Sequence, residues 1–102
     1  MPTASREIIV SNSMGLHARP AMQFVDTANQ FKSEIKVKKP ALPATENTEA
    51  SEATEADGKS VMQMIVLEAT MGTPLTIEAN GDDAEEAVKQ LVALFESKFG
   101  EE

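Results

Sequence analysis

Ser33-Glu34-Ile35-Lys36-Val37-Lys38 alternates without a break: Ile35 and Val37 fall on one side of an extended chain, and Glu34, Lys36 and Lys38 on the other. The pattern predicts a strand with one face buried and one face in water. Thr73-Pro-Leu-Thr-Ile-Glu-Ala-Asn80 repeats it, with Leu75, Ile77 and Ala79 inward and Thr76 and Glu78 outward, until Gly81 breaks the run. Strands solvated on one face belong to an antiparallel sheet whose helices all pack on the other face.

Working outward, Arg6-Glu-Ile-Ile-Val-Ser11 is apolar and β-branched and predicts a first strand, followed by turn residues at Asn12-Ser-Met-Gly15. Ala18, Ala21, Met22, Phe24, Val25 and Ala28 then fall within one face at helical spacing, with Gln23 and Thr27 pointing away. Ser60-Val-Met-Gln-Met-Ile-Val-Leu67 is a short apolar run that suits helix or strand. Ser60 followed by Gln63 matches a capping box and favours a helix starting at Ser60. The last segment is the clearest helix, capped by Asp82 or Asp83. Ala84, Ala87, Val88, Leu91, Leu94 and Phe95 form its buried stripe, and Lys98 and Gly100 mark its finish.

Pro40 to Asp57 differs in composition. It holds Glu46, Glu49, Glu52, Glu55 and Asp57, no basic residue, and Leu42 as its only large apolar side chain. Such a stretch buries too little to offset its ordering entropy, so most of it reads as a mobile acidic loop, with Glu52 to Asp57 able to form a short edge strand. The expected fold is thus α+β: a two-layer open-faced sandwich with a four-stranded antiparallel sheet and three helices on one face, in the order βαββαβα. It forms a single domain over residues 1–102 with an acidic insertion at about 40–57.

Composition narrows the function. The chain has 102 residues, 41% hydrophobic and 25% charged, which suits one ordinary globular domain. With no Cys, disulfides and thiolate chemistry are excluded, and a lone His among scattered carboxylates is a poor basis for a transition-metal site. A net charge of −8 argues against nucleic acid and anionic membranes as partners. No apolar run approaches a membrane span, and the first ten residues lack the order of a secretory signal, so the expected location is the cytoplasm. A monomer is expected.

Gly15-Leu-His-Ala-Arg-Pro20 lies where the first strand gives way to the first helix. A helix start offers unpaired N–H groups and partial positive charge, a ready anion site. Pro20 suits a first helical turn. It also disfavours helical dihedrals at Arg19, which leaves the helix start open between Ala18 and Pro20. His17 sits just ahead of it, beside a guanidinium. A neutral imidazole is a competent nucleophile, and an incoming phosphoryl group brings about two negative charges, which Arg19 and the backbone N–H groups of Ala18 and Arg19 can offset. By charge and spacing alone, His17 is equally a surface or capping residue.

Gly15-Leu-His-Ala-Arg-Pro20 with Ala21-Met-Gln-Phe-Val25 resembles the active-site signature of HPr, the histidine-containing phosphocarrier of the phosphoenolpyruvate:sugar phosphotransferase system. Gly58-Lys-Ser-Val-Met62 resembles the family's second motif, and Gly72-Thr73 through Gly81-Asp-Asp-Ala-Glu85 its last strand and helix start. The resemblance covers about residues 6 to 99, apart from the acidic stretch.

The resemblance implies a carrier rather than an enzyme, with no cofactor and no metal. His17 would be phosphorylated at Nδ1 by Enzyme I, which phosphoenolpyruvate charges, and would pass the group to an Enzyme II A component for carbohydrate uptake. The same relay could serve a branch signalling nitrogen or carbon status, or the chain could act as a docking-only regulator, which would predict a damaged histidine motif. Arg19 would assist transfer. Ser60 matches a regulatory serine modified by HPr kinase/phosphorylase in some bacteria, though it is a good helix cap regardless. Val61, Met62 and Ile65 match partner-docking positions, with Met64 as either core or surface. Asp26 and Asn29 stand where many relatives carry lysines, which bears on partner choice. The acidic stretch is about a dozen residues longer than usual for the family and, lying between the second strand and Ser60, could hang near that serine.

Overall fold

The computed structural model describes residues 3–46 and 49–100. Four strands, β1 (Thr3–Ile9), β2 (Glu34–Lys39), β3 (Thr54–Asp57) and β4 (Pro74–Asn80), form one antiparallel sheet in the order β1-β4-β2-β3. Helices α1 (Ala18–Ala28), α2 (Val61–Val66) and α3 (Ala84–Glu96) cover one face, giving the expected α+β open sandwich. The alternation in β2 and β4 holds: Ile35, Val37, Leu75, Ile77 and Ala79 are all buried, and they face Phe24, Met64, Leu91 and Phe95 from the helices. On the other face Lys38 pairs with Glu78 at 2.9 Å across the β2–β4 ladder.

β1 starts and stops earlier than its composition suggested. Its ends are set by pairing, from Thr3 opposite Asn80 to Ile9 opposite Pro74. Val10 lies beyond the strand yet is buried, held by bonds from its N–H to Thr73 O at 3.0 Å and from Gly72 N–H to its carbonyl at 2.7 Å. In the acidic stretch, Thr54–Asp57 forms the edge strand, and Leu42 and Ser51 exchange two backbone bonds of 2.9 Å as an isolated bridge.

Two helices differ in detail from expectation. In α1 the buried set is Pro20, Ala21, Phe24, Val25 and Ala28, while Ala18 and Met22 face solvent. The core stripe follows the contact of α1 with α2 and α3, which turns Pro20 in and Met22 out. In α3, Val92 joins the buried set and Leu94 is only partly buried. Asp83 holds the N-cap position but makes no cap bond. Its carboxylate instead accepts from Lys32 N–H at 2.8 Å, Ser33 N–H at 2.9 Å and the Ser33 hydroxyl, tying the start of α3 to the start of β2.

The described residues end with a 3-10 turn, Lys98–Gly100, whose three residues all have positive φ. Phe99 returns into the core edge-on to Phe95, with ring centroids 4.8 Å apart, and its carbonyl accepts from Gln23 Nε2 at 3.3 Å.

Candidate functional site

The turn ahead of α1 is tightly built. Asn12 is buried; its Nδ2 donates to Gly15 O at 2.6 Å, and Gly15 N–H donates back to Asn12 O at 3.0 Å. Gly15 has a φ of +69°, and a Cβ there would stand 2.6 Å from Ala69 O and 2.9 Å from Thr70 Cα. Leu16 N–H donates to Ala69 O at 2.8 Å and its side chain is buried. The turn is thereby clamped against the loop between α2 and β4, and the next residue is presented at a fixed place. Asn12 as a buried brace was missed. Its signal was an Asn opening a turn with Gly three residues on, an arrangement in which the side chain can bond the local backbone.

His17 is the N-cap of α1, with extended dihedrals of φ −86° and ψ −169° and a half-buried side chain. Its carbonyl accepts from Ala21 N–H at 3.0 Å, which starts the helical ladder. The first helical residue is Ala18, so Pro20 is the third and not the first. Before the ladder begins, a helix leaves its first N–H groups without intrahelical acceptors. Pro20 has none, which leaves those of Ala18 and Arg19 directed off the helix end beside His17, with Arg19 itself exposed. A helix start of this kind offers an anion two backbone donors and the helix dipole, and the exposed Arg19 lies two residues from His17.

Helices α1 and α2 lie side by side in opposite directions. Leu16, ahead of α1, bonds Ala69 beyond the end of α2, while Lys59 Nζ, ahead of α2, donates to Phe31 O beyond the end of α1 at 2.7 Å. Ser60 therefore sits at the far end of α2 from His17. Its hydroxyl accepts from Gln63 N–H at 3.2 Å, the expected cap. Gln63 Oε1 accepts from Asp57 N–H, not Ser60 N–H, so the reciprocal half of the capping box is replaced by a tie to β3.

Of the expected docking residues, Met62 is 72% exposed, Ile65 lies at the surface, and Val61 packs partly against the core. Met64 is fully buried. Val66, also 72% exposed, was missed; with Met62 it lines a shallow groove of about 190 Å³ between α2 and Thr54 and Glu55 of β3. Asp26 on α1 and Asn29 at its C-cap are exposed.

The acidic stretch leaves β2 at Lys39, the end away from Ser60, and returns along β3 so that its last residue, Asp57, meets the α2 cap; the part before β3 starts and finishes at the end of the sheet away from Ser60. β2 ends beside the start of β4, with Lys38 opposite Thr76, and Lys39 Nζ donates to Leu67 O at the end of α2 at 3.1 Å. That is the end at which Ala69 holds the His17 turn.

The family model described as "PTS HPr component phosphorylation site" matches residues 4–97. Among characterised relatives, the chain is 36% identical to the phosphocarrier protein NPr of Proteus mirabilis, over 98% of this chain and 99% of that one. It is 46% identical to the phosphocarrier protein HPr of Haemophilus influenzae, over 86% and 87%. Among solved structures, an HPr from Thermoanaerobacter tengcongensis superposes with a TM-score of 0.78 at 41% identity, over 97% of this chain and 98% of that one. The phosphocarrier HPr of Bacillus anthracis superposes with a TM-score of 0.73 at 32% identity, over 91% and 96%.

Proposed function

Because the chain belongs to the HPr family of phosphocarriers, we propose that it accepts a phosphoryl group on Nδ1 of His17 from phosphorylated Enzyme I and passes it to an Enzyme II A-type acceptor in the cytoplasm. The observation that carries this reading is the position of His17 as N-cap of α1, half-exposed, at a helix start that offers the Ala18 and Arg19 N–H groups, with Arg19 exposed two residues on.

The chemistry follows from that placement. The Nδ1 lone pair attacks phosphorus, a P–N bond forms, and the bond from phosphorus to the donor breaks with its electron pair returning to the donor. Nδ1 is the ring nitrogen nearer the backbone, so a phosphoryl group there stays within reach of the helix start, whereas one on Nε2 would project away from it. The dipole and two N–H donors are in place before the group arrives, and transfer between proteins needs little beyond such positioning. Docking uses the exposed side of α2, Met62, Ile65 and Val66, together with the residues around His17, while Val61 supports the patch from beneath.

The similarity to NPr over nearly the full length of both chains favours a second destination, the nitrogen-regulatory branch in place of carbohydrate uptake. Both use the same chemistry at His17.

The test is phosphorylation by phosphoenolpyruvate with Enzyme I proteins from both branches, comparing wild type and His17→Ala by intact mass at alkaline pH. A single acid-labile phosphate, absent in the variant, supports the carrier reading, and the faster donor identifies the branch. No transfer from any donor, the native one included, removes it in favour of a docking-only module. Acid-stable phosphate that persists in His17→Ala points to Ser60 or another hydroxyl.

A further inference from the structure

Methionine is ordinarily a core residue, yet Met14, Met22, Met62 and Met71 are 72%, 55%, 72% and 61% exposed, while Met64 is fully buried. Their placement is not scattered. Met14 and Met71 belong to the two turns that pack together at Gly15, where Leu16 N–H bonds Ala69 O and a Cβ on Gly15 would meet Ala69 and Thr70. Met22 stands one helical turn beyond Ala18 on the solvent side of α1, and Met62 lies on the exposed stripe of the neighbouring α2. The segments that carry these residues are also nearly free of charge: Arg19 is the only charged residue from Ile8 to Val25, and Glu68 the only one from Ser60 to Ile77. In a chain of net charge −8, the surface around the phosphoryl acceptor is thus neutral and thioether-rich.

We infer that these four methionines form an oxidation-sensitive collar on the docking face, Met14, Met22 and Met71 on the segments about His17 and Met62 toward the Ser60 end of α2, through which peroxide reversibly shuts off docking of the phosphoryl donor. The inference rests on the carrier reading above. Exposed thioethers meet a two-electron oxidant such as hydrogen peroxide without any unfolding. The sulfur lone pair takes one peroxide oxygen, the S–O bond forms as the O–O bond breaks, and the displaced oxygen leaves as water after gaining a proton. Sulfur is oxidised by two electrons and the peroxide is reduced by two. The product is a polar, chiral sulfoxide in place of a pliable apolar side chain, and a donor surface fitted to thioethers must then bury S=O dipoles without partners. Reduction by two thiols returns the thioether, a disulfide and water. The core is spared because its methionine, Met64, is buried.

The full chain is treated with hydrogen peroxide until peptide mapping shows sulfoxide at Met14, Met22, Met62 and Met71 and none at Met64, with circular dichroism confirming the fold. kcat/KM for transfer from phosphorylated Enzyme I is then measured. Wild type is expected to lose about tenfold on oxidation, the size of effect that unpartnered polar groups produce at an interface. Methionine sulfoxide reductase with dithiothreitol restores the rate. The M14L/M22L/M62L/M71L variant keeps, after peroxide, the rate it had before treatment. Full activity of the oxidised wild type, or an equal loss in the leucine variant, overturns the collar. Failure of the reduced protein to accept phosphate from any donor would instead strike the carrier reading, and a reduced control in every assay keeps the two apart.

Discussion

At Gly15 two constraints coincide: a left-handed φ of +69°, and a Cβ position 2.6 Å from the backbone oxygen of Ala69. The obstacle is backbone and cannot swing aside as a side-chain tip would. Gly15→Ala is therefore expected to cost about 2 kcal/mol in urea unfolding, from left-handed strain together with displacement of the 69–70 turn. The same change slows phosphorylation of His17, since it moves the turn that presents the imidazole. Asp83 is the second decisive residue. Hydrogen bonds from the Ser33 hydroxyl and the Lys32 and Ser33 N–H groups hold its carboxyl below the ordinary aspartate range. A depressed folded pKa means that this stabilisation is present above the unfolded value of about 3.9 and is lost as pH falls through the lower folded value. Asp83→Asn is accordingly expected to be less stable than wild type near neutral pH. Its urea midpoint should converge on that of wild type as pH falls below the ordinary aspartate range, where the wild-type carboxylate also protonates. A gap that stays constant with pH would show that packing alone explains the difference.

Elements were legible in the sequence to the extent that burial set their pattern. β2 and β4 could be read residue by residue, because each lies centrally in the sheet with one face in the core. β1 is an edge strand whose ends follow pairing to β4, so its β-branched run marked the strand but misplaced it toward Val10. In α1 the apolar stripe marked the helix, but Met22 is apolar and exposed, a choice that packing does not require. Asp83 was read as a cap from local spacing, while its partners Lys32 and Ser33 lie fifty residues away in the chain, beyond what spacing can reveal. The His17 site was legible because it is local: cap, donors and guanidinium all fall within three successive residues. Ser60 was legible as a cap for the same reason. Ser60→Ala is expected to lower stability by about 1 kcal/mol, and Ser60→Asp to recover most of it, since both Ser and Asp accept from the third N–H of a helix. Thermal unfolding of the two variants tests this without any kinase. A stable Ser60→Ala would leave Gln63, bonded to Asp57, as the true anchor of α2.

On the scale of the whole molecule, topology sorts the charged and uncharged surfaces. The end of β1, the start of β4 and the end of β2 meet at one end of the sheet, with Ile9 opposite Pro74 and Lys38 opposite Thr76. The His17 turn, with Met14, and the turn that carries Met71 lie there, and the acidic stretch after Lys39 leaves from the same end. Its five acids supply five of the eight net negative charges, and Asp57 alone among them sits at the far end of β3, next to the α2 cap. Under the carrier function proposed above, a donor would bring a phosphoryl group of about two negative charges to a patch bordered by this acidic segment. Repulsion between them acts on approach, before any contact forms, so it should alter association and leave the bound geometry alone. Replacing Glu46, Glu49, Glu52 and Glu55 by Gln is therefore expected to raise kcat/KM for phosphoryl transfer several-fold at low salt. The gain should shrink steadily as salt rises, because the screening length falls from about 30 Å at 0.01 M to about 3 Å at 1 M. Stability should change little, since these side chains are exposed. A rate that instead falls at low salt on neutralisation would mean that the segment attracts a basic surface on the donor, making it a partner-selecting element in place of a barrier. A rate unchanged at every salt concentration would make it a bystander, leaving donor choice to the neutral face around His17.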